Sequence, residues 1–221
     1  MSGTENRSIK KGMQHLILCE GKDECLFMIY YLNSEALSYN KQYSETVQVE
    51  DFGGNEDLCN ALKSWSNDPN FLELKSLVVV RDAEKNAQAA VDSIINAFKN
   101  ADLPVPPRSN EFKTGNGLKT GFFLFPKCSS EPVNGTLEDL CFSILMEKEA
   151  PISEIETFLS DLQTHKNRTF PRPFKTKLHT YFSITDKFVS LKIGEAAKAG
   201  AFDWSSPELE PIRIFLDEMV R

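Results

Sequence analysis

The residues of this 221-residue chain best suited to chemistry are carboxylates that close apolar runs. Glu20 ends the run HLILCE (15–20) and precedes Gly21, with Asp23 three residues on. In SLVVVRDAE (76–84) four consecutive branched apolar residues lead into charge, and Asp82 and Glu84 stand one residue apart. Glu138 and Asp139 open GTLEDLCFSILM (135–146), shortly after the apolar run GFFLFP (121–126). Acids that converge from distant parts of a chain repel one another unless protonated or bridged by a cation. Oxygen-only ligands suit a hard ion, and Mg²⁺ takes one or two carboxylates, keeps waters and meets substrate phosphates. Alternate residues of an extended segment face the same way, so Asp82 and Glu84 are predicted to share a ligand.

The same acids have a structural use. An acid after a strand often caps the next helix and complements its dipole, and Asp23, Glu138 and Asp139 each suit that role. Glu20, directly ending an apolar strand before a glycine, is not an obvious cap. Other motifs carry less. TGNGLKTG (114–121) is glycine-rich but lacks the GK[ST] ending of a phosphate loop and precedes a strand, so a hairpin or loop is expected. His15, His165 and His179 show no zinc-hydrolase spacing, and Ser129 and Ser130 lack a GxSxG elbow. The stretch HKNRTFPRPFKTKLHT (165–180) carries Lys166, Arg168, Arg172, Lys175 and Lys177 with no acid, interleaved with Phe170 and Phe174 and followed by Tyr181. Such a stretch either holds a nucleic-acid backbone while rings stack on bases or is a solvated helix face with core aromatics.

Strands and helices must alternate to bring these acids together. Strands are predicted at 15–20, 46–54, 76–84 and 121–126. Helices are predicted at 24–37, with Asp23 as N-cap, and at 55–65, 86–101 and 135–146. Leu58, Leu62 and Trp65 form a helical stripe in the second of these, and Val91, Ile94, Ile95 and Phe98 one face of the third. Such alternation means a mainly parallel α/β sheet covered on both faces, and ligands bind at the carboxyl ends of its strands. After Lys148 the strand signal fades, and helices are predicted at 152–163, 173–184 and 207–220. The chain therefore divides into an α/β domain over 12–146 and a helical C-terminal extension over 147–221 packed on it.

The ordered set LILCEGKDE, FGGNEDL and VVVRDAEKN resembles the Toprim signature: a glutamate after the first strand, a glycine ending the second, and a DxD-type pair after the third. Topoisomerases, bacterial primases, RecR-like proteins and overcoming-lysogenization-defect nucleases share it. More narrowly, EGKDE, VVVRDAEKNAQAAVDSI, FPKCSSEPVNGTLEDL and GEAAKAGAFDWSSPELEPIRIFL are similar to the small bacterial Toprim-like proteins grouped as DUF3226. The first resemblance covers about 12–146 and the second nearly the whole chain. They imply a Toprim-like, Rossmann-like fold with Mg²⁺, replaceable by Mn²⁺, held by Asp82 and Glu84. Glu20 would act as general base or acid, or as a third metal ligand. Gly54 matches the glycine ending the second strand. Glu84 departs from the usual aspartate, and its longer side chain shifts the ion. Glu138 matches no Toprim position, but from their places in the chain Asp23, Glu138 and Asp139 would support the site; Lys22 or Lys85 would contact phosphate, and the basic stretch would bring Arg168, Arg172, Lys175 and Lys177 to a nucleic-acid backbone.

Two functions follow from the resemblance. One is Mg²⁺-dependent phosphodiester hydrolysis on DNA or RNA. The other is a non-catalytic binding or regulatory module with a protein or nucleic-acid partner, as RecR-like proteins exemplify. The chain lacks the tyrosine-nucleophile, zinc-binding and ATPase domains that accompany Toprim domains elsewhere, so a protein partner would be encoded separately. A basic rim around the acidic pocket would favour the nuclease, and a flat apolar patch a protein partner. A net charge of −7 argues mildly against a general nucleic-acid binder. No apolar run approaches the roughly 20 residues needed to span a bilayer, and the segment MSGTENRSIKKGMQ has no apolar centre of a secretion signal. Five cysteines without a CxxC pair read as reduced core thiols of a cytoplasmic protein.

Overall fold

Ser76–Asp82, the most apolar of the predicted strands, lies at the centre of the sheet (β3) and is buried along its whole length. The structure, a computed structural model, describes residues 8–37, 40–53, 58–145 and 151–221. Among these, β1 (His15–Cys19), β2 (Val47–Asp51), β3, β4 (Phe112–Gly115) and β5 (Leu118–Phe125) form one sheet in the order β2-β1-β3-β5-β4. β1 runs parallel to β2 and β3, and β3 parallel to β5; only β4 is antiparallel. Strands buried on both faces are expected of such a sheet.

The period of two sorts the core into two layers. Ile17, Cys19, Val78, Val80, Phe123 and Phe125 face one layer. It is filled from α1 (Lys22–Leu32), α5 (Leu137–Ser143), α6 (Ile152–Lys166), α7 (Pro173–Ser183), α8 (Ile193–Lys198) and α9 (Glu210–Val220). Leu16, Leu18, Leu77, Val79, Phe122 and Leu124 face the other, filled from α3 (Leu58–Ser66) and α4 (Ala87–Asn100). The predicted stripe of Leu58, Leu62 and Trp65 is the buried face of α3. In α4 the buried face holds Val91, Ile94 and Phe98, while Ile95 is only partly buried. The C-terminal helices share the first layer with α1: Phe215 of α9 meets Phe123 with ring centroids 5.3 Å apart, and Gly194 of α8 leaves room for Leu26 of α1.

Several local expectations change. α1 begins at Lys22 with Gly21, not Asp23, as its N-cap. α2 (Asn40–Thr46), α8 and the short antiparallel β4 were not predicted, because none carries a sustained apolar period. The segment 114–121 is a hairpin: Asn116 and Gly117 both have positive φ (52° and 81°), the pairing of a type I′ turn whose twist suits the flanking strands. All five cysteines are free thiols. Among the described residues no helix is long and apolar enough to cross a membrane.

The edge of the sheet yields one stability prediction. A Cβ on Gly121 would lie 2.6 Å from the Phe112 ring, which stacks on Phe215 at 4.4 Å. Gly121→Ala is expected to destabilise the fold by about 1–3 kcal/mol through overpacking. Thermal denaturation checks this, and an unchanged Tm would show that the β4 edge gives way freely.

Candidate functional site

In the order β2-β1-β3 the chain leaves β1 in one direction and returns to place β3 on its other side. A crevice opens at such a reversal, outside the carboxyl ends of the strands. Glu20 and Asp82 stand there. Glu20 follows β1 and donates its backbone N–H to Val80 O at 3.1 Å; Asp82 is the last residue of β3. Parity separates them, however. Asp82 shares the face of Val78 and Val80, whereas Glu20 continues the face of Leu16 and Leu18.

On the first face Asp82 is 8% exposed, and its Oδ1 accepts the N–H of Leu137, the first residue of α5, at 2.8 Å. Burial, then repulsion from Glu24 and Glu138, pushes its carboxyl up to about 9, with the Leu137 N–H opposing. Glu24, in the first turn of α1, is pushed up to about 7, mainly by burial; its backbone opposes, while Glu20, Asp23 and Glu138 add to the rise. Glu138 is itself buried, its Oε1 3.7 Å from Lys175 Nζ. The neighbouring Asp139 caps instead: its Oδ2 accepts the N–H of Thr136 at 2.8 Å and the Thr136 hydroxyl at 3.3 Å. Two adjacent acids thus do different work, Glu138 in the site and Asp139 in the helix.

On the other face Glu20 pairs with buried Arg81, Nε to Oε2 at 3.6 Å, and Arg81 Nη1 reaches Ser93 Oγ of α4 at 3.4 Å. Neither Glu20 Oε2 nor Arg81 Nε has a hydrogen-bond partner, although both are buried. Burial raises the Glu20 carboxyl, with Arg81 the main opposing influence, and lowers the Arg81 guanidinium against the attraction of Glu20. Glu20 also accepts a backbone hydrogen bond from Asp82, so the pair links the end of β1 to the end of β3.

Glu84 reaches the crevice by a route other than strand alternation. The strand ends at Asp82, and Glu84 has φ +55°, left-handed for a non-glycine residue. Its backbone N–H and C=O each bond Gly135 at 2.8 Å, tying the end of β3 to the entrance of α5. A strained backbone held by its surroundings is common at functional sites. Glu84 lines one cleft with Asp82, Glu138, Lys85 and Thr136.

The opposite wall of that cleft is Pro171, Arg172, Pro173, Phe174 and Lys175, at the start of α7. Half of the predicted basic contacts therefore converge on the acids. Lys177 does not: it pairs with Glu156 and stands 4.3 Å over the Phe142 ring. Arg168 is exposed at the end of α6 and lies outside the cleft lining. Tyr181 belongs to the core. Asp23 accepts the N–H of Gly194 at 3.3 Å and so joins α1 to α8, and Lys22 is exposed outside the cleft lining. Gly54 lies outside the described residues.

Two residues escaped the sequence reading. Glu24 stands four residues after Glu20 in EGKDE, the spacing of one helical turn, and Arg81 is a charge between an apolar run and Asp82. Among the described residues no three His, Cys, Asp or Glu side chains form a ready-made metal-holding group. Asp82 and Glu84 line one cleft and supply oxygen donors of the kind that a hard ion takes. The arrangement offers an acidic floor under a cationic rim, which suits an anionic substrate together with a divalent cation.

The family described as "Protein of unknown function (DUF3226)" matches residues 14–221. No curated protein and no solved structure matches the chain.

Proposed function

The chain belongs to the DUF3226 family, and from its cleft we propose a Toprim-like protein that hydrolyses phosphodiester bonds of nucleic acid with Mg²⁺. The observation that carries this reading is one cleft lined by buried Asp82 and Glu138, by exposed Glu84 and by the cations Lys85, Arg172 and Lys175. Cations attract a phosphodiester, while carboxylates at the floor repel it unless a second cation lies between. Asp82 and Glu84 would hold Mg²⁺, or Mn²⁺ in its place. The ion would neutralise charge developing on the phosphate. Arg172, Lys175 and Lys85 bind and orient the phosphate. Glu20 lies outside the cleft lining, paired with Arg81; in this reading it would take the proton of the attacking water, a role favoured by a carboxyl that burial raises towards the working pH. The free thiols fit a reducing compartment, and the cytoplasm is the setting we assign.

A second reading has its own support. Glu84 stands where Toprim domains carry aspartate, and the Glu20 carboxylate is turned to Arg81 whereas that of Asp82 meets Leu137 of α5. A non-catalytic module that binds a nucleic-acid or separately encoded protein partner needs neither feature.

Calorimetric titration of Mg²⁺ and Mn²⁺, beside cleavage assays on single- and double-stranded DNA and RNA, separates the two. Metal binding with metal-dependent cleavage supports hydrolysis; binding without cleavage supports the module. Glu20→Gln is expected to lower turnover by about 10²–10³-fold while leaving Mg²⁺ affinity nearly unchanged. Full turnover in that variant would remove Glu20 from the chemistry.

A further inference from the structure

The cleft that holds Asp82 also presents an aromatic face. Phe174, in the first turn of α7, is 44% exposed and lines the cleft beside Arg172 and Lys175. The apolar side of α7 is already filled by Leu178, Tyr181 and Phe182, all buried, so the fold makes little use of the Phe174 ring. An exposed ring between cations is the arrangement by which proteins hold an unpaired base, because every base offers a π-face and the adjoining phosphates need positive partners. We infer that the site takes a single-stranded segment or end of nucleic acid, with one unpaired base on Phe174 and its flanking phosphates on Arg172 and Lys175.

This inference rests on the reading of the cleft as a phosphodiester site and narrows its substrate. A duplex keeps its bases paired and stacked, with no free face for Phe174. Its phosphates also ride on a stiff outer surface, whereas Asp82 is 8% exposed beneath the rim. A single strand bends and splays its bases, so one phosphate descends towards Asp82 and Glu138 while the adjacent base stacks above.

Fluorescence anisotropy of a labelled oligothymidylate and of a matched duplex, at one fixed ionic strength in Ca²⁺, tests this. The single strand is expected to bind at least tenfold more tightly than the duplex. Phe174→Ala is expected to raise the single-strand Kd about tenfold and Phe174→Trp to restore it, with neither change moving the Tm or the duplex Kd. An unchanged single-strand Kd in Phe174→Ala, or equal affinity for duplex, overturns the inference. Mg²⁺-dependent cleavage of duplex that is indifferent to Phe174→Ala overturns it too, yet leaves the hydrolytic reading standing. Ring-dependent binding of the single strand without any cleavage supports the inference and overturns hydrolysis instead. Absence of binding to either probe overturns both.

Discussion

Asp82→Asn combined with Glu84→Gln is expected to abolish Mg²⁺ binding and to lower cleavage by about 10⁴-fold, the scale of losing a metal-centred charge clamp in phosphoryl transfer. Both changes preserve shape. An asparagine side chain at the end of β3 keeps an oxygen to accept the N–H of Leu137, now 2.8 Å from Asp82 Oδ1. The pairing of Glu84 with Gly135 is made by the backbone alone, so a glutamine side chain there leaves it in place. The fold should therefore survive, and the loss will report on charge alone. Calorimetry on the double variant checks the metal, and the cleavage assay checks the chemistry; an unchanged Mg²⁺ affinity would sink the assignment. Glu84→Asp refines the test. The shorter acid restores the usual Toprim pair, and if Glu84 holds the ion, affinity should improve. If Glu84 only serves the tie between β3 and α5, the change should leave affinity untouched.

How much of this was legible follows from where the information lay. The central strand announced itself through four consecutive branched apolar residues ending in charge, and with it the position of Asp82. The alternation of strands and helices then fixed a parallel sheet and directed attention to the carboxyl ends. Sequence alone could not say that Glu20 and Asp82 would face opposite layers. Parity within a strand is readable, but register between strands depends on the pairing of Cys19 with Val80. Glu84 was expected to share the direction of Asp82 by extension of the strand; it arrives instead through a left-handed turn, for which an isolated glutamate gives no signal. The division of labour between Glu138 and Asp139 was half readable, since TLED carries a capping box with Asp139 at the required third position. The convergence of Arg172 and Lys175 on Asp82 was hidden. It joins segments some ninety residues apart through the packing of α7 on α5, and only a folded chain displays it.

Without a divalent cation, the acids around Asp82 should make the protein less stable as pH rises. Asp82 in the folded chain titrates at about 9, against an ordinary value of 3.8. Glu24 titrates at about 7 against 4.5. Through each of these windows the unfolded chain has released its proton while the folded chain still holds it. The folded state therefore binds more protons, and stability falls with increasing pH. Half of the Asp82 window, at 1.36 kcal/mol per pH unit, amounts to about 3–4 kcal/mol. An asparagine in its place cannot ionise in either state and escapes this cost. Metal-free Asp82→Asn is thus expected to unfold roughly 6–12 °C above the unsubstituted protein at pH 8, with the gap shrinking towards pH 4. Thermal unfolding across that range, in the presence of chelator, checks it; a gap independent of pH, or a variant less stable at pH 8, would show that Asp82 is ionised without a cation. The same proton connects stability to function. If Asp82 holds it at pH 7 and gives it up to a metal, Mg²⁺ binding must release protons. Calorimetric titrations in buffers of different ionisation enthalpy should then give different apparent heats, and the difference should vanish in Asp82→Asn.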